Sequence, residues 1–234
     1  MAENLRQIIA IGGGGFYRDA DNLGLERYVI QQTKVDNPRV AFVPTASGEP
    51  DHYVASFYSA FLKLGCRPSV LTFFKRTPEL RTYLLNQNAI YVGGGNTKSM
   101  LAVWRDWGVP ELLREAWESG VVLTGVSAGA ICWFEQGLTD SFSDGLRPLP
   151  GLAFLPGSCC PHYDGEPQRR PTYHRLLASE EIAPGIAIED WTAVHFLGIE
   201  RMRVVAARAG ARAYSMRNVY GSVQEVPLPV EYLA

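Results

Sequence analysis

The stretch Val121-Val122-Leu123-Thr124-Gly125-Val126-Ser127-Ala128-Gly129-Ala130 decides how this chain is read. Val121 to Thr124 is a continuous apolar run ended by a glycine, the pattern of a strand buried on both faces. Gly125 and Gly129 flank Ser127 at G-x-S-x-G spacing, and a second apolar run, Ala130 to Phe134, follows. A sharp strand-to-helix turn needs small residues on both sides of its apex, because glycine accepts the backbone angles and leaves room for the returning helix. The stretch therefore predicts a strand, an elbow that holds the Ser127 hydroxyl at the carboxyl end of a sheet, and a helix beginning beneath it. The positive helix end and the Ala128 N–H would then face an oxyanion formed by attack on a carbonyl. The plainer alternative is a turn in which Ser127 only caps the helix.

Outward from this elbow, Ile8 to Ile11, Val40 to Val43, Val70 to Phe74 and Ala89 to Val92 repeat the continuous apolar pattern. Between them, Asp51 to Leu64 sets Val54, Phe57, Tyr58, Phe61 and Leu62 three and four apart, one apolar stripe of a helix. Pro110 to Ser119 opens with proline at a first helical position and closes before Gly120. Strands alternating with helices predict an α/β chain with a doubly wound, mostly parallel sheet over residues 1 to about 135. Residues 137–171, rich in Gly, Pro and Ser, are expected to form a long ordered loop region with short strands at most. Gln168 to Ser179 reads as a helix. Gly185 to Ile188, Ala193 to Leu197, Arg203 to Ala206 and Arg212 to Met216 read as strands, the last two joined around Ala209-Gly210 as a C-terminal hairpin. The tail from Glu225 promises little order, and no composition break divides residues 1–234 into more than a single domain.

Charge narrows the function. Among 234 residues, 22 Lys+Arg stand against 24 Asp+Glu, a net charge of −2, which excludes a nucleic-acid or anionic-membrane binder working through bulk charge. A hydrophobic share of 47% with 20% charged residues is that of a folding chain. The start carries neither a signal peptide nor a membrane span, so a cytoplasmic location is expected. Cys66, Cys132, Cys159 and Cys160 lack zinc spacing and are too few for a disulfide scaffold, so reduced thiols, no metal and no cofactor are expected.

Gly93-Gly94-Gly95-Asn96-Thr97 follows another buried strand, and such a loop turns its N–H groups into a concavity on the same sheet edge as Ser127. Gly94 or Gly95 is thus the second oxyanion donor. Lys98 is out of register for a phosphate loop, and Gly12 to Gly15 reads as a packing turn beside the cleft. A serine nucleophile needs a base, usually a histidine oriented by a carboxylate. His52 and His174 fall in helices and His195 in mid-strand, where packing or surface roles are expected. His162, in Cys160-Pro161-His162-Tyr163-Asp164-Gly165, sits in a loop at a strand end, where a base is well presented. Asp144, Glu189 and Asp190 are the candidates for the acid.

On Gly93 to Thr97, Gly125 to Ala130, Pro161-His162-Tyr163, and Gly185 to Asp190 preceding Thr192-Ala193, the sequence resembles the peptidase E family of serine peptidases, which includes aspartyl dipeptidases and, more distantly, cyanophycinases. The resemblance spans nearly the whole chain and implies a class I glutamine amidotransferase-like fold. It implies Ser127 as nucleophile, His162 as base, and Asp190 as the third member where the family carries a glutamate, or Glu189 if the register slips by one. Gly94 and Ala128 become the oxyanion hole. Asn96 and Arg170 become substrate-binding residues, Arg170 being the best match among Arg169, Arg170 and Arg175 to the arginine that holds an N-terminal Asp side chain. The intervening loop is shorter than in aspartyl enzymes, which weakens that last assignment. The expectation is a serine peptidase acting on small peptides, with no nucleic-acid or membrane partner and room for a homodimer. Its rivals are an esterase or acyltransferase on the same elbow and a catalytically silent binding protein.

Overall fold

The computed structural model describes residues 5–233. Its first half alternates strand and helix: β1 (Gln7–Ile11), α1 (Gly24–Gln32), β2 (Arg39–Val43), α2 (Asp51–Lys63), β3 (Arg67–Val70), α3 (Leu80–Leu85), β4 (Ala89–Val92), α4 (Thr97–Asp106), α5 (Val109–Glu118) and β5 (Val122–Val126). The one-turn helix α6 (Ala128–Ile131) leads into β6 (Phe134–Phe142), β7 (Gly145–Pro150), β8 (Leu155–Cys160), α7 (Arg169–Ala178) and β9 (Gly185–Ile188). The chain ends with β10 (Thr192–Leu197), β11 (Glu200–Ala206), β12 (Ala213–Val219), β13 (Ser222–Pro227) and β14 (Glu231–Tyr232).

These strands form two sheets, one ordered β14-β11-β10-β1-β5-β4-β2-β3 and the other β13-β12-β9-β8-β6-β7. In the larger sheet β1, β5, β4, β2 and β3 run parallel, and β10 and β11 extend it antiparallel. Strands β1, β4 and β5 are buried at every position, which is why they are almost wholly apolar, Gln7 and Thr124 excepted. Alternate residues feed opposite faces: Ile8 and Ala10 join one core with Trp104 and Leu123, while Ile9 and Ile11 join another with Phe42, Phe57 and Tyr91. Helix α2 covers that second face with Tyr53, Phe57, Ala60 and Phe61. Each large apolar side chain so buried contributes about 1.5–3 kcal/mol. The stripe is rotated from the one expected, since Tyr58 and Leu62 face solvent.

Several expectations need correction. The third strand lies at Arg67–Val70, beginning three residues before the apolar run Val70 to Phe74. Pairing with β2 ends there, and Leu71 and Phe73 bury their side chains from the loop beyond. Residues 137–171 are largely strand: β6 and β7 pair as a hairpin through the Ser143-Asp144 turn, and β8 runs parallel to β6. The C-terminal hairpin is β12–β13, turning at Tyr220-Gly221. Arg203 to Ala206 and Arg212 to Met216 belong to different sheets, because β11 pairs with β10 and β12 with β9. The tail is ordered enough for β14 to pair with β11.

Parallel strands place all their carboxyl ends at one edge. The loops after β1, β4 and β5 (the Gly12 to Gly15 turn, the Gly93 to Gly95 loop and Ser127) therefore meet there, and the segments after β8 and β9 close against them from the second sheet.

Candidate active site

Ser127 bridges β5 and α6 with φ 58° and ψ −112°. A non-glycine residue in that region costs on the order of 1–3 kcal/mol, so the surroundings must impose it. They do: the Ser127 N–H donates to Ile11 O at 3.0 Å, and its carbonyl accepts from the Ala130 and Ile131 N–H groups at 2.9 Å. The glycine spacing has a steric cause. A Cβ on Gly125 would stand 2.8 Å from Gly129 Cα, and one on Gly129 would stand 2.9 Å from Val92 Cβ. The Ser127 side chain makes no capping hydrogen bond, so the plainer capping role is not observed. Helix α6 is four residues long, so it offers one turn of free N–H groups, beginning at Ala128, rather than a long macrodipole.

The glycine loop is pinned at both ends. The Gly93 N–H donates to Val43 O at 3.1 Å and the Asn96 N–H to Ala46 O at 2.7 Å, while Gly94 and Gly95 between them find no backbone acceptor among the described residues. A Cβ on Gly94 would lie 3.8 Å from Ser127 Oγ, so the Gly94 peptide borders the hydroxyl. Asn96 is engaged otherwise than expected: its Oδ1 accepts the Ser99 N–H at 2.8 Å as the N-cap of α4, and it does not line the cleft.

His162 and Asp190 come together. His162 Nδ1 lies 2.7 Å from Asp190 Oδ1. His162, at φ 52°, is tied by its own N–H to Gly12 O at 3.2 Å, and Trp191, at φ 66°, donates to Gly13 O at 2.9 Å. Three non-glycine residues with positive φ thus converge on this place. Glycine at position 13 is required, because a Cβ there would stand 2.5 Å from His162 Nδ1. The Asp190 N–H donates to Asp164 Oδ1 at 2.7 Å, and Arg208 holds the other Asp164 oxygen at 2.6 Å. Burial alone would raise the Asp190 carboxyl, but the hydrogen bond and charge of His162, with Arg18 and Arg208, outweigh it and hold the carboxyl below its ordinary range. Glu189 faces elsewhere: its two oxygens accept the Arg212 N–H and the Tyr214 hydroxyl, each at 2.8 Å. Asp144 pairs with Arg147 in the β6–β7 turn.

Ser127, His162, Gly94 and Gly95 line one cleft of about 480 Å³. Tyr17, Arg18, His52 and Tyr53 share its wall, and sequence reasoning missed all four as site residues. For His52 the missing signal was tertiary, since its Nε2 meets the Tyr17 hydroxyl at 3.1 Å. Arg170 is not brought into the cleft. Its guanidinium pairs with Glu225 and stacks over Tyr163, because α7 packs on the hairpin rather than over the serine. His174 belongs to the same group, 2.7 Å from Glu225 Oε2. His195 is a core residue: the Tyr28 hydroxyl meets its Nδ1 at 2.8 Å, and burial lowers its pKa to about 4, so it is neutral near pH 7. Among the described residues no cluster of three or more His, Cys, Asp or Glu is arranged to hold a metal ion, and no helix is long and apolar enough to cross a membrane.

Comparison with known proteins gives the family and the fold. The profile of peptidase family S51 matches residues 8–204. The peptidase YgaJ of Bacillus subtilis (strain 168) is 48% identical over 230 residues, covering 98% of this chain and all of that one. Among solved structures, a peptidase from an acI-B1 actinobacterium superposes with a TM-score of 0.75 at 19% identity, covering 97% of this chain and 96% of that one. A peptidase E protein of Listeria monocytogenes EGD-e gives 0.60 at 23% identity, covering 85% and 97%. The fold is that of the class I glutamine amidotransferases, as the resemblance implied.

Proposed function

This chain belongs to peptidase family S51, a serine-type peptidase, and from that premise we propose that it hydrolyses the amide bond of short peptides through Ser127, His162 and Asp190. The observation that carries the reading is the 2.7 Å contact of His162 Nδ1 with Asp190 in the wall of the cleft that also holds Ser127. With Nδ1–H donated to Asp190, Nε2 is the nitrogen left to take the serine proton. Ser127 Oγ attacks the carbonyl carbon, its proton passes to His162, and the carbonyl oxygen becomes an oxyanion. The N–H groups of Gly94 and Ala128 stabilise that charge, each such donor being worth roughly 10²–10³ in rate. His162 then gives its proton to the leaving amine, the C–N bond breaks, and water repeats the sequence on the acyl-serine. Asp190, held ionised, stabilises the imidazolium and fixes its orientation.

The test is a dipeptide library together with a fluorophosphonate probe. Labelling of Ser127 alone, with hydrolysis of dipeptides, supports the reading. Turnover of esters without peptides would favour the esterase or acyltransferase, and an unlabelled Ser127 would favour a silent binding protein.

A further inference from the structure

The cleft wall carries one permanent charge, Arg18, and no carboxylate. Among the described residues Arg18 is exposed and has no ion-pair partner, and of the arginines without one it alone lines this cleft. An arginine left free beside a reacting serine is completed by an anion that arrives with the substrate, and its planar fork fits a carboxylate through two parallel hydrogen bonds. Position says which carboxylate. Arg18 follows the Gly12 to Gly15 turn, and that turn is built onto the base side of the site: His162 N–H donates to Gly12 O, Trp191 N–H to Gly13 O, and Arg18 N–H to Gly15 O at 2.9 Å. The oxyanion loop of Gly94 and Gly95 is instead pinned to Val43 and Ala46. His162 must reach the leaving nitrogen, so a group on its side meets the amino acid that departs. In a peptide cut at its last bond, the free α-carboxylate is two bonds from that nitrogen.

We propose that Arg18 is a specificity-determining residue that binds the free α-carboxylate of the leaving amino acid, so that peptides ending one residue beyond the cleaved bond are preferred. The proposal rests on the hydrolytic reading above and adds to it a demand on the far end of the substrate. Tyr17, whose hydroxyl is joined to His52, stands beside Arg18 on the same wall.

The experiment compares the twenty X-Ala dipeptides with their C-terminal amides, in wild type, Arg18→Ala and Arg18→Lys, alongside fluorophosphonate labelling of Ser127. Wild type should favour the free acids by roughly 10–100-fold in kcat/KM, mostly through KM, as expected for a hydrogen-bonded charge pair. In Arg18→Ala the acid-to-amide ratio should fall toward one, and Arg18→Lys should recover part of it. Loss of Arg18 as a charge near Asp190 would move acids and amides together and leave the ratio intact. A labelled serine with no acid preference, or with a preference that survives Arg18→Ala, overturns the role of Arg18 alone. An unlabelled serine overturns the hydrolytic reading beneath it.

Discussion

Gly13 and Asp190 face each other across an isolated parallel bridge, and the side chain that Gly13 lacks is the space in which His162 meets Asp190. Gly13→Ala should therefore push the imidazole and the carboxylate apart without touching Ser127. A displacement near 1 Å at a catalytic group costs about 100-fold, so kcat should fall by at least that much. Ser127 should still label, but more slowly, and a wild-type kcat in a folded Gly13→Ala protein would contradict the arrangement.

Substitution at the three polar groups separates their roles. Ser127→Ala should lower kcat by roughly 10⁶-fold and Asp190→Asn by roughly 10⁴-fold, the second by spoiling the orientation and tautomer of His162. Glu189→Gln should leave kcat within a few-fold and instead lower stability by about 1–3 kcal/mol, because Glu189 holds the Arg212 N–H and the Tyr214 hydroxyl. The reverse result, with Glu189 the more damaging to rate, would move the third role by one residue.

Glu26 makes stability depend on pH. It is fully buried in α1, where its Oε1 accepts the Phe16 N–H at 2.9 Å and its Oε2 lacks a hydrogen-bond partner. Burial, only partly offset by that hydrogen bond, pushes the carboxyl up from 4.5 to about 7. The folded state then holds a proton that the unfolded chain has lost, so stability is full below about 4.5 and declines as pH rises to about 7, by roughly 3 kcal/mol. Urea denaturation at several pH values should show this slope in wild type, and Glu26→Gln should flatten it.

The thiols should be inert in the native protein. All four cysteines are free and buried, and burial pushes Cys66 up to about 11 and Cys160 up to about 12. Because the thiolate is the reactive form, an aromatic disulfide reagent should titrate none of them until denaturant is added. Rapid modification of Cys159 or Cys160 without unfolding would show that the β8 strand opens.

Much of this molecule was legible because its first half is built from strands buried on both faces, whose continuous apolar runs need no tertiary knowledge to read. Ser127 was legible for a similar reason: close packing of α6 against β4 and β5 demands the glycines at 125 and 129. The second sheet was hidden because β6, β7 and β13 have half-exposed, irregular patterns, and Gly and Pro within them look like loop. Arg18 and Tyr17 were illegible because only the fold of the Gly12 to Gly15 turn carries them to the cleft. Arg170 misled for the opposite reason, since its spacing suited a pocket while its acid, Glu225, lies on a strand that the tail was not expected to contain.

The serine belongs to a loop of the larger sheet, whereas the imidazole and its carboxylate leave strands of the smaller one. Competence is therefore a docking event. On the proposed mechanism, a chain whose parallel core alone has formed carries the serine without its base, and the three groups are complete only when β8 and β9 stand beside that core.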